Sequence, residues 1–407
     1  MDATVDASEH CVLDDECVSR VCLTEGRCAA PDTVFYVSPV GIAAGKCSST
    51  TPCEINYAKS QVTPDHIAMR LEDGTYRLDL GLVVDAATPT LIVAGGRNAE
   101  LLRTAAGPVV EVRDGSSLEL HGMTFNKGIS CTNFSQISVS RVAFGNSSNE
   151  ILPWIDLKTC VSAKITNSEL SDSTADGINA ESSDIVVSQT KIVRSAGNGL
   201  IGTGSHLTIS DSTIDSNGAL GIDASFRMLD IHRSTISFNH AGGIRGTGGN
   251  YNISNNFIFR NGNDTDSTFG GLNIQTTSTG NRIIHNTITR NDSDPLANPL
   301  RAGGFFCMGA TGSFFNNLIV NNFAGSATQP NAQTGGTCDL TGSQIINDDL
   351  MSRFASANSP PYNYHLGSSA SSAVNAGVNG PDPETQDFDG EPRNDGAPDV
   401  GADELKP

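Results

Sequence analysis

Five six-residue segments repeat at one spacing: ITNSEL (165–170), VSQTKI (187–192), ISDSTI (209–214), IHRSTI (231–236) and ISNNFI (253–258). Each segment begins and ends with an apolar residue, and each starts 22 residues after the one before it. A fixed period of this length is typical of solenoid proteins, whose repeats bury their apolar faces by stacking on their neighbours. The repeat therefore predicts a stack of coils in which Ile209, Ile231 and Ile253 lie above one another.

The pattern continues on both sides of this stretch. Equivalent pairs are Leu120/Phe125 and Val139/Phe144 before it, and Ile283/Ile288, Phe314/Ile319 and Ile345/Leu350 after it, at steps of 30, 31 and 31 residues. Constant apolar positions combined with a variable step indicate that one loop in each coil changes in length.

A second apolar column indicates another strand in each coil. Its members, each preceded by glycine, are Ile178, Leu200, Ile222, Ile244, Leu272 and Phe305. Apolar residues alternate with polar ones and β-branched residues dominate, as in strands. The fold class that we predict is all-β, a right-handed parallel β-helix with three strands per turn and about ten or more turns. Leucine-rich repeats, the main alternative, would show a Leu-x-x-Leu-x-Leu pattern that this chain lacks.

The turns between paired apolar residues are short and polar, as in Asn255-Asn256 and Asn316-Asn317. Because asparagine carries both a donor and an acceptor, stacked asparagines can hydrogen-bond along the axis of the coils. The glycine column has two explanations. Either the backbone bends there with positive φ, or bulky neighbours need the space that a side chain would fill.

Composition and charge limit the classes of partner. The chain has 407 residues and a formal net charge of −20, which argues against nucleic acid and anionic membrane surfaces as partners. The sequence contains no apolar run long enough to span a bilayer, so we predict no transmembrane segment. We interpret Met1 as an initiator placed on an exported sequence whose leader was removed.

Ten cysteines support an oxidising, extracellular location. Cys11, Cys17, Cys22 and Cys28 form a compact group, the N-terminal knot, for which three pairings are possible; we favour Cys11 with Cys22 and Cys17 with Cys28. Zinc binding by these four is the alternative, although their spacing is not Cys-x2-Cys. Cys47 and Cys53 flank a short loop, and the pairs Cys131/Cys160 and Cys307/Cys338 fall on adjacent coils, within reach of a disulfide.

We divide the chain into four regions. Residues 1–32 are a tail plus the N-terminal knot, and residues 33–108 are an N-terminal cap with a short helix from Glu54 and the first turns. Residues 109–350 form the regular β-helix, and residues 351–407 form a capping segment that folds back and seals the C-terminal end. We expect a monomer.

Several motifs resemble those of one superfamily. Tyr36-Val37-Ser38-Pro39, the Cys47/Cys53 pair and Tyr57-Ala58 resemble the opening of secreted bacterial right-handed parallel β-helix proteins, the pectate-lyase-like superfamily. The tail from Asp387-Phe388-Asp389-Gly390 to Asp399-Val400-Gly401-Ala402-Asp403-Glu404 is similar to the C-terminal segment called choice-of-anchor Q. The resemblance implies a secreted protein or one on the outer cell surface of a bacterium. An aspartate expected after Gly41 is missing.

The resemblance also implies that ligands lie along the strands of the second column. The outward residues there include Asn179, Asp223, Arg245, Asn273 and Phe306. We predict that Asp176, Asp223, His240 and Arg245 gather on one face as catalytic residues, with Asn179, Arg194, Asn198, Asn273 and Phe306 binding substrate. An arginine beside a base suits proton abstraction next to a sugar carboxylate, whereas two carboxylates suit hydrolysis. The alternative is an ordinary surface ion pair between Asp223 and Arg245.

Known active sites of the superfamily match only in part. Ile244-Arg245-Gly246 resembles the arginine of alginate-lyase-like enzymes, but Asp223 stands where those have lysine one turn earlier. Asp176-Gly177-Ile178 is similar to part of the polygalacturonase motif, and the remaining parts of that motif are missing. Asp387 and Asp389 resemble the start of a calcium loop, although the third acid and the glutamate at position twelve of such a loop are absent. They are therefore the candidate metal ligands, with Ca²⁺ as the candidate cofactor, and a tail turn held by hydrogen bonds is the alternative.

Two functions remain after this reading of the sequence. One is a carbohydrate-active protein that recognises a polysaccharide or cell-surface glycan along its strands and cleaves it as a lyase or hydrolase. The other is a non-catalytic surface, adhesion or structural solenoid. Sugar-binding grooves use aromatic side chains, and Trp154, Phe269 and Phe306 are the candidates here. Loops 262–269, 292–302 and 322–336 would wall the groove, with Asn239 and Asn261 beside it.

Overall fold

The computed structural model describes residues 10–23, 26–88, 90–96, 98–145, 150–294, 296, 302–325, 332–346, 354–367, 372–380, 383–393 and 396–405. The chain forms two compact units, an N-terminal unit, Met1–Thr174, and a C-terminal unit, Ala175–Pro407. Each unit consists of coils with three short strands, and every strand of a coil pairs in parallel with the equivalent strand of the next coil in that unit. The predicted fold class, an all-β parallel β-helix, is confirmed.

The N-terminal unit contains one helix, α1 (Ile55–Ser60), which begins as predicted because the Glu54 side chain accepts hydrogen bonds from the first backbone N–H groups. Its strands are β1 (Val34–Ile42), β2 (Ala68–Leu71), β3 (Gly74–Leu78), β4 (Leu82–Val84), β5 (Thr90–Ala94), β6 (Ala99–Arg103), β7 (Val110–Val112), β8 (Ser117–His121), β9 (Thr124–Phe125), β10 (Ile129–Thr132), β11 (Gln136–Ser140), β12 (Ala143–Phe144), β13 (Ile155–Lys158), β14 (Ser162–Thr166) and β15 (Glu169–Ser171). The first sheet has the order β1-β2-β5-β8-β11-β14, the second β3-β6-β9-β12-β15 and the third β4-β7-β10-β13.

The C-terminal unit repeats the same three sheets. Its strands are β16 (Ile178–Glu181), β17 (Asp184–Ser188), β18 (Lys191–Val193), β19 (Leu200–Thr203), β20 (His206–Ser210), β21 (Thr213–Asp215), β22 (Leu220–Ser225), β23 (Met228–His232), β24 (Thr235–Ser237), β25 (Gly242–Thr247), β26 (Asn250–Ser254), β27 (Phe257–Phe259), β28 (Leu272–Gln275), β29 (Asn281–Ile284), β30 (Thr287–Thr289), β31 (Phe305–Met308), β32 (Gly312–Ser313), β33 (Phe315–Val320), β34 (Thr334–Gly336), β35 (Gly342–Ile346), β36 (Phe354–Ser356) and β37 (Asn363–Leu366). The first sheet is β17-β20-β23-β26-β29-β32, the second β18-β21-β24-β27-β30-β33-β35 and the third β16-β19-β22-β25-β28-β31-β34, while β36 and β37 form an antiparallel hairpin.

The predicted apolar column fills the interior of the coils. Ile209 pairs with Ile231 and Ile231 with Ile253, and all three side chains are fully buried. The extension of this column to Ile345 is wrong. Ile345 pairs with Ile319 in the second sheet, so the last step shortens and Ile345 does not follow Phe314. Leu350, its predicted partner, lies outside the described residues.

Two asparagine ladders run along the coils of the C-terminal unit. The predicted one, at the turn between the first and second sheets, links Asn256 Nδ2 to Asn286 Oδ1 at 3.0 Å and Asn286 Nδ2 to Asn317 Oδ1 at 2.9 Å. The other lies where each coil leaves the second sheet, and its successive members are Asn217, Asn239, Asn261, Asn291, Asn322 and Gln333. These amides also donate to backbone carbonyls, for example from Asn239 to Ile214, and so satisfy buried turns.

The glycine column is explained by space and not by positive φ. At Gly199 a Cβ atom would lie 2.6 Å from Ile214 Cγ2 and 2.8 Å from the Nδ2 atom of Asn217. Real Cβ atoms do not approach that closely, so the core isoleucine and the ladder asparagine occupy the volume a side chain would need. The second of the two sequence explanations is therefore correct for this position.

The N-terminal knot packs on the outer face of the first sheet of its own unit. Its disulfides are Cys11–Cys22 and Cys17–Cys28, as favoured from the sequence. Asp14 is buried between the knot and the sheet, where its carboxylate lies 3.4 Å from His121 Nδ1 and 2.5 Å from Arg141 Nη2. The other disulfides in the chain are Cys47–Cys53, Cys131–Cys160 and Cys307–Cys338, and no cysteine is free.

The attachment of the knot is expected to weaken at alkaline pH. Burial by itself lowers the pKa of His121, but the hydrogen bonds with Asp14 and Glu119 outweigh it and raise the pKa to about 9. A raised pKa stabilises the folded chain fully below the unfolded value of 6.5, and that stabilisation disappears as the pH rises through about 9. The melting temperature of the wild type should therefore fall as the pH rises across this window. The melting temperature of His121→Gln should not show this fall. Identical pH profiles for both proteins would contradict the assignment.

In its described residues, the C-terminal segment (residues 354–405) packs on the side of the coils, whereas the sequence predicts a segment that folds back and seals their C-terminal end. Phe354, Tyr364, Leu366, Val400 and Ala402 form one buried cluster with Phe257, Phe259, Leu318 and Val320 of the second sheet. The apolar side chains on the outer face of the second sheet would otherwise form an exposed hydrophobic patch, and the C-terminal segment buries them.

Candidate functional site

The outward residues of the third sheet form one continuous row in the C-terminal unit. In register, the row runs through Asn179, Ile201, Asp223, Arg245, Asn273 and Phe306 on β16, β19, β22, β25, β28 and β31. Alternation along each strand causes this arrangement, since the residue after each buried column member must point to the other side of the sheet. The row therefore contains the five residues that the sequence analysis places on it, Asn179, Asp223, Arg245, Asn273 and Phe306, whereas their functional roles remain a prediction.

Asp223 and Arg245 are paired at the centre of the row. Arg245 Nε donates to Asp223 Oδ1 at 2.7 Å and Nη2 donates to Oδ2 at 2.5 Å, which is a bidentate contact. The hydrogen bonds with Asp223 raise the pKa of Arg245, so the guanidinium stays charged. Both side chains remain open to solvent, with 43% of the Arg245 side chain and 20% of the Asp223 side chain exposed.

A shallow depression of about 420 Å³ surrounds this ion pair. Besides Asp223 and Arg245, it is lined by Ile201, Gly202, Thr203, Ser225, Thr247 and Gln275. The hydroxyl and amide groups come two residues after the outward row on the same strands, at the next outward position. These residues were not among the predicted site residues, although the same alternation places them on this face. The depression offers hydrogen-bond donors and acceptors and one compensated pair of charges.

The other two predicted catalytic residues do not line the depression. His240 is exposed, its carbonyl accepts hydrogen bonds from Asn263 and Ser267, and its Nδ1 lies 4.0 Å from Asp266. Asp176 has a structural role, because its Oδ1 accepts hydrogen bonds from the backbone N–H of Asn198 at 2.7 Å and from its Nδ2 at 2.9 Å. Of the four predicted catalytic residues, Asp223 and Arg245 therefore line the depression, and Asp176 and His240 do not.

Several predicted binding residues are likewise used by the fold. Asn198 Oδ1 accepts a hydrogen bond from the backbone of Leu220, which continues the contact from Asp176. Asn239 and Asn261 are fully buried members of the second ladder and do not flank a groove. Arg194 is an exposed turn residue with a φ of +56° that does not line the depression.

The last two residues of the row and the aromatic residues predicted to bind sugar are buried. Asn273 and Phe306 are each only 6% exposed, and Asn273 Oδ1 accepts a hydrogen bond from Gln275. Trp154 and Phe269 are buried as well, and Trp154 Nε1 donates to the Ser171 carbonyl within the N-terminal unit. These three aromatic rings are therefore not exposed, and the sequence alone does not distinguish a buried ring from an exposed one. Of the predicted loop walls, 262–269 is described, while residues 295, 297–301 and 326–331 lie outside the described part.

The two aspartates predicted as calcium ligands contact different groups. Asp387 is fully buried, and its two oxygens accept hydrogen bonds from the backbone of Glu391 and Glu404. Asp389 Oδ2 instead lies 2.9 Å from His365 Nε2. Within the described residues, two groups of three metal-binding side chains have ligand atoms within 4.8 Å of one another: Cys11/Cys17/Cys28, which are in disulfides, and His365/Asp389/Asp403.

None of the described helices is long and apolar enough to span a membrane. The chain has no significant match among curated protein sequences. Among solved structures it is similar to pectate lyase Pel9A, with 16% identity, 93% of this chain and 100% of that chain covered and a TM-score of 0.45. It is also similar to PfbA, a surface adhesin of Streptococcus pneumoniae, with 10% identity, 70% and 89% covered and a TM-score of 0.38.

A third similar structure is the Dettilon tailspike protein, with 14% identity, 75% of this chain and 68% of that chain covered and a TM-score of 0.36. The family model described as "Right handed beta helix region" matches residues 127–345, which is more than half of the chain. This match covers most of the parallel coils, both asparagine ladders and the row around Asp223 and Arg245. The chain therefore belongs to the right-handed β-helix family.

Proposed function

We propose that this protein is extracellular and binds a polysaccharide through the third sheet of its C-terminal unit without cleaving it. The observation that carries the proposal is the depression in which Thr203, Ser225, Thr247 and Gln275 accompany the exposed Asp223–Arg245 pair. Sugars present many hydroxyl groups, and hydroxyl, amide and paired charged side chains hydrogen-bond to them in both directions. Five disulfides support an oxidising location.

The contacts of Asp223 favour binding over catalysis. A general base must be free to take a proton, but both oxygens of this carboxylate accept hydrogen bonds from Arg245. The other predicted acid–base groups, His240 and Asp176, are outside the depression. The pair is therefore better suited to hold hydroxyl or carboxylate groups of a glycan than to abstract a proton.

The test is a glycan array followed by calorimetry with the full chain. Arg245→Gln should weaken binding of the selected glycan by roughly tenfold or more, because hydrogen bonds to charged groups contribute about 1.5–3 kcal/mol. Arg233→Gln is the matched control, since Arg233 makes the same bidentate contact with Asp211 at a turn away from the third sheet. We expect its affinity to equal that of the wild type.

Three outcomes would overturn the proposal. One is an absence of binding to every acidic and neutral glycan on the array. Another is equal loss of affinity in Arg245→Gln and Arg233→Gln. The third is release of new reducing ends, or of products with the ultraviolet absorbance of unsaturated sugars, which would identify a hydrolase or a lyase instead.

A further inference from the structure

We propose that His365, Asp389 and Asp403 form a binding site for one divalent metal ion of the zinc class. The three side chains come from separate parts of the C-terminal segment: His365 from β37, Asp389 from a turn, and Asp403 from the last described residues. Their ligand atoms all lie within 4.8 Å of one another, and His365 Nε2 is 2.9 Å from Asp389 Oδ2. This site is independent of the depression on the third sheet.

The imidazole is oriented with a lone pair toward the two carboxylates. His365 Nδ1 is hydrogen-bonded to the side-chain oxygen of Asn363, and an amide oxygen only accepts, so the proton lies on Nδ1. In the neutral ring Nε2 then carries no proton. Nε2 is buried and makes no hydrogen bond, although a carboxylate oxygen lies next to it. Metal-binding histidines are held in this way, with the second ring nitrogen donating to an oxygen.

Within the described residues, the two carboxylates also have no lysine or arginine as a counter-charge. Asp403 is 6% exposed, and its Oδ2 accepts a hydrogen bond from the backbone N–H of Leu366 at 2.6 Å, which fixes the group beside the imidazole. Within the described part of the chain, neither Asp389 nor Asp403 forms an ion pair with lysine or arginine. The imidazole nitrogen and the two carboxylates thus lie within 4.8 Å of one another, and a cation is the species that would satisfy all of them.

The ligand set determines the class of metal. One imidazole and two carboxylates match zinc, which takes three protein ligands and one water in open tetrahedral sites, whereas calcium takes about six to eight oxygens. Ligand atoms around tetrahedral zinc are roughly 3.3 Å apart. Asp389 is exposed on its turn, so rotation of its side chain can close the remaining distance. The rings of Phe257 and Phe388, centred 4.8 and 5.8 Å from the imidazole, shield it on the protein side.

Such an ion would connect the β36–β37 hairpin to the end of the chain. The test uses the full chain after treatment with a chelator, titrated with ZnCl₂ and, separately, with CaCl₂ in a calorimeter. We expect one zinc site, a higher melting temperature with zinc, and a visible ligand-field spectrum when Co²⁺ replaces it. His365→Gln and Asp389→Asn should each weaken zinc binding by about tenfold or more.

His240→Gln is the matched control. Like His365, His240 lies near an aspartate, with Nδ1 4.0 Å from Asp266, but it is exposed and belongs to no group of three possible ligands among the described residues. Its zinc affinity should equal that of the wild type. The proposal is overturned if zinc does not bind saturably, if calcium binds more tightly than zinc, or if both site variants bind as the wild type does. If His365→Gln does not fold, the exposed Asp389→Asn variant decides the matter alone.

Discussion

Replacing Arg393 with methionine is expected to detach the C-terminal segment from the coils and to lower the free energy of unfolding by about 3–5 kcal/mol. The guanidinium is fully buried, and it donates to Glu404 at 2.9 Å, to Asn255 Oδ1 at 3.0 Å and to the carbonyls of Gly401 and Ala402. Methionine fills a similar volume, but it removes the positive charge beside the buried Glu404 carboxylate. The loss therefore reflects lost charge–charge and hydrogen-bond interactions more than lost packing.

Chemical denaturation measures this loss, and limited proteolysis with mass spectrometry locates it. New cleavage sites should fall in the C-terminal segment while the circular dichroism of the parallel coils persists. Arg233→Met is the control, because Arg233 also holds a carboxylate with two hydrogen bonds but is about one-third exposed. Exposed pairs contribute about 1 kcal/mol or less. Equal losses in the two variants would show that burial of Arg393 is not what matters.

Replacing Asn286 with aspartate is expected to destabilise the C-terminal unit by roughly 3 kcal/mol or more. Asn286 Nδ2 donates to Asn317 Oδ1 at 2.9 Å and to the carbonyl of Ile253 at 2.8 Å, while its Oδ1 accepts from Asn256 Nδ2 at 3.0 Å. Aspartate has the same shape but only acceptors, so it opposes Asn317 Oδ1 and leaves the Ile253 carbonyl without its donor. The change breaks the ladder without creating a cavity.

The pH dependence of this variant provides an independent check. Burial raises the pKa of an introduced carboxyl, and protonation restores one donor, so the loss should be smaller in mildly acidic than in neutral buffer. Asn250→Asp is the control, since Asn250 is exposed on the neighbouring β26. Its free energy of unfolding should change by less than about 0.5 kcal/mol. A similar loss in Asn250→Asp would mean that the introduced charge, and not the ladder, is responsible.

The architecture was predictable because the spacing of the repeat determines which residues of successive coils lie above one another. A 22-residue step that places Ile209, Ile231 and Ile253 in one column fixes the register of every strand between them. The second ladder is equally visible in the sequence, since Asn217, Asn239 and Asn261 follow the same step, but the prediction placed Asn239 and Asn261 beside a groove and did not use Asn217. Periodicity identifies a buried polar column only when each position is compared with the core positions of its own coil.

Features without a period were harder to predict. The position of Ile345 depends on a shortened last step, which brings it beside Ile319. The C-terminal segment has no repeat. Its place on the side of the coils depends on apolar residues such as Phe257 and Phe259, which face outward from the second sheet. The prediction gave each strand only one buried face, so it did not anticipate this contact. The pairing of Asp223 with Arg245 follows from register, but nothing in the sequence shows that His240 turns toward another loop.

The second ladder bears on how such a chain can change length. From Asn217 to Asn322 every side-chain amide donates to the member after it, and Gln333 ends the series by also donating back to the carbonyl of Asn322. Along the ladder, each internal member thus donates one side-chain hydrogen bond to the next member and accepts one from the side chain of the member before it. Duplication or loss of a whole 22-residue coil in the gene would leave the ladder of hydrogen bonds continuous. Gain or loss of part of a coil would interrupt it. Evolution can therefore adjust the number of coils in whole steps without redesigning the terminus.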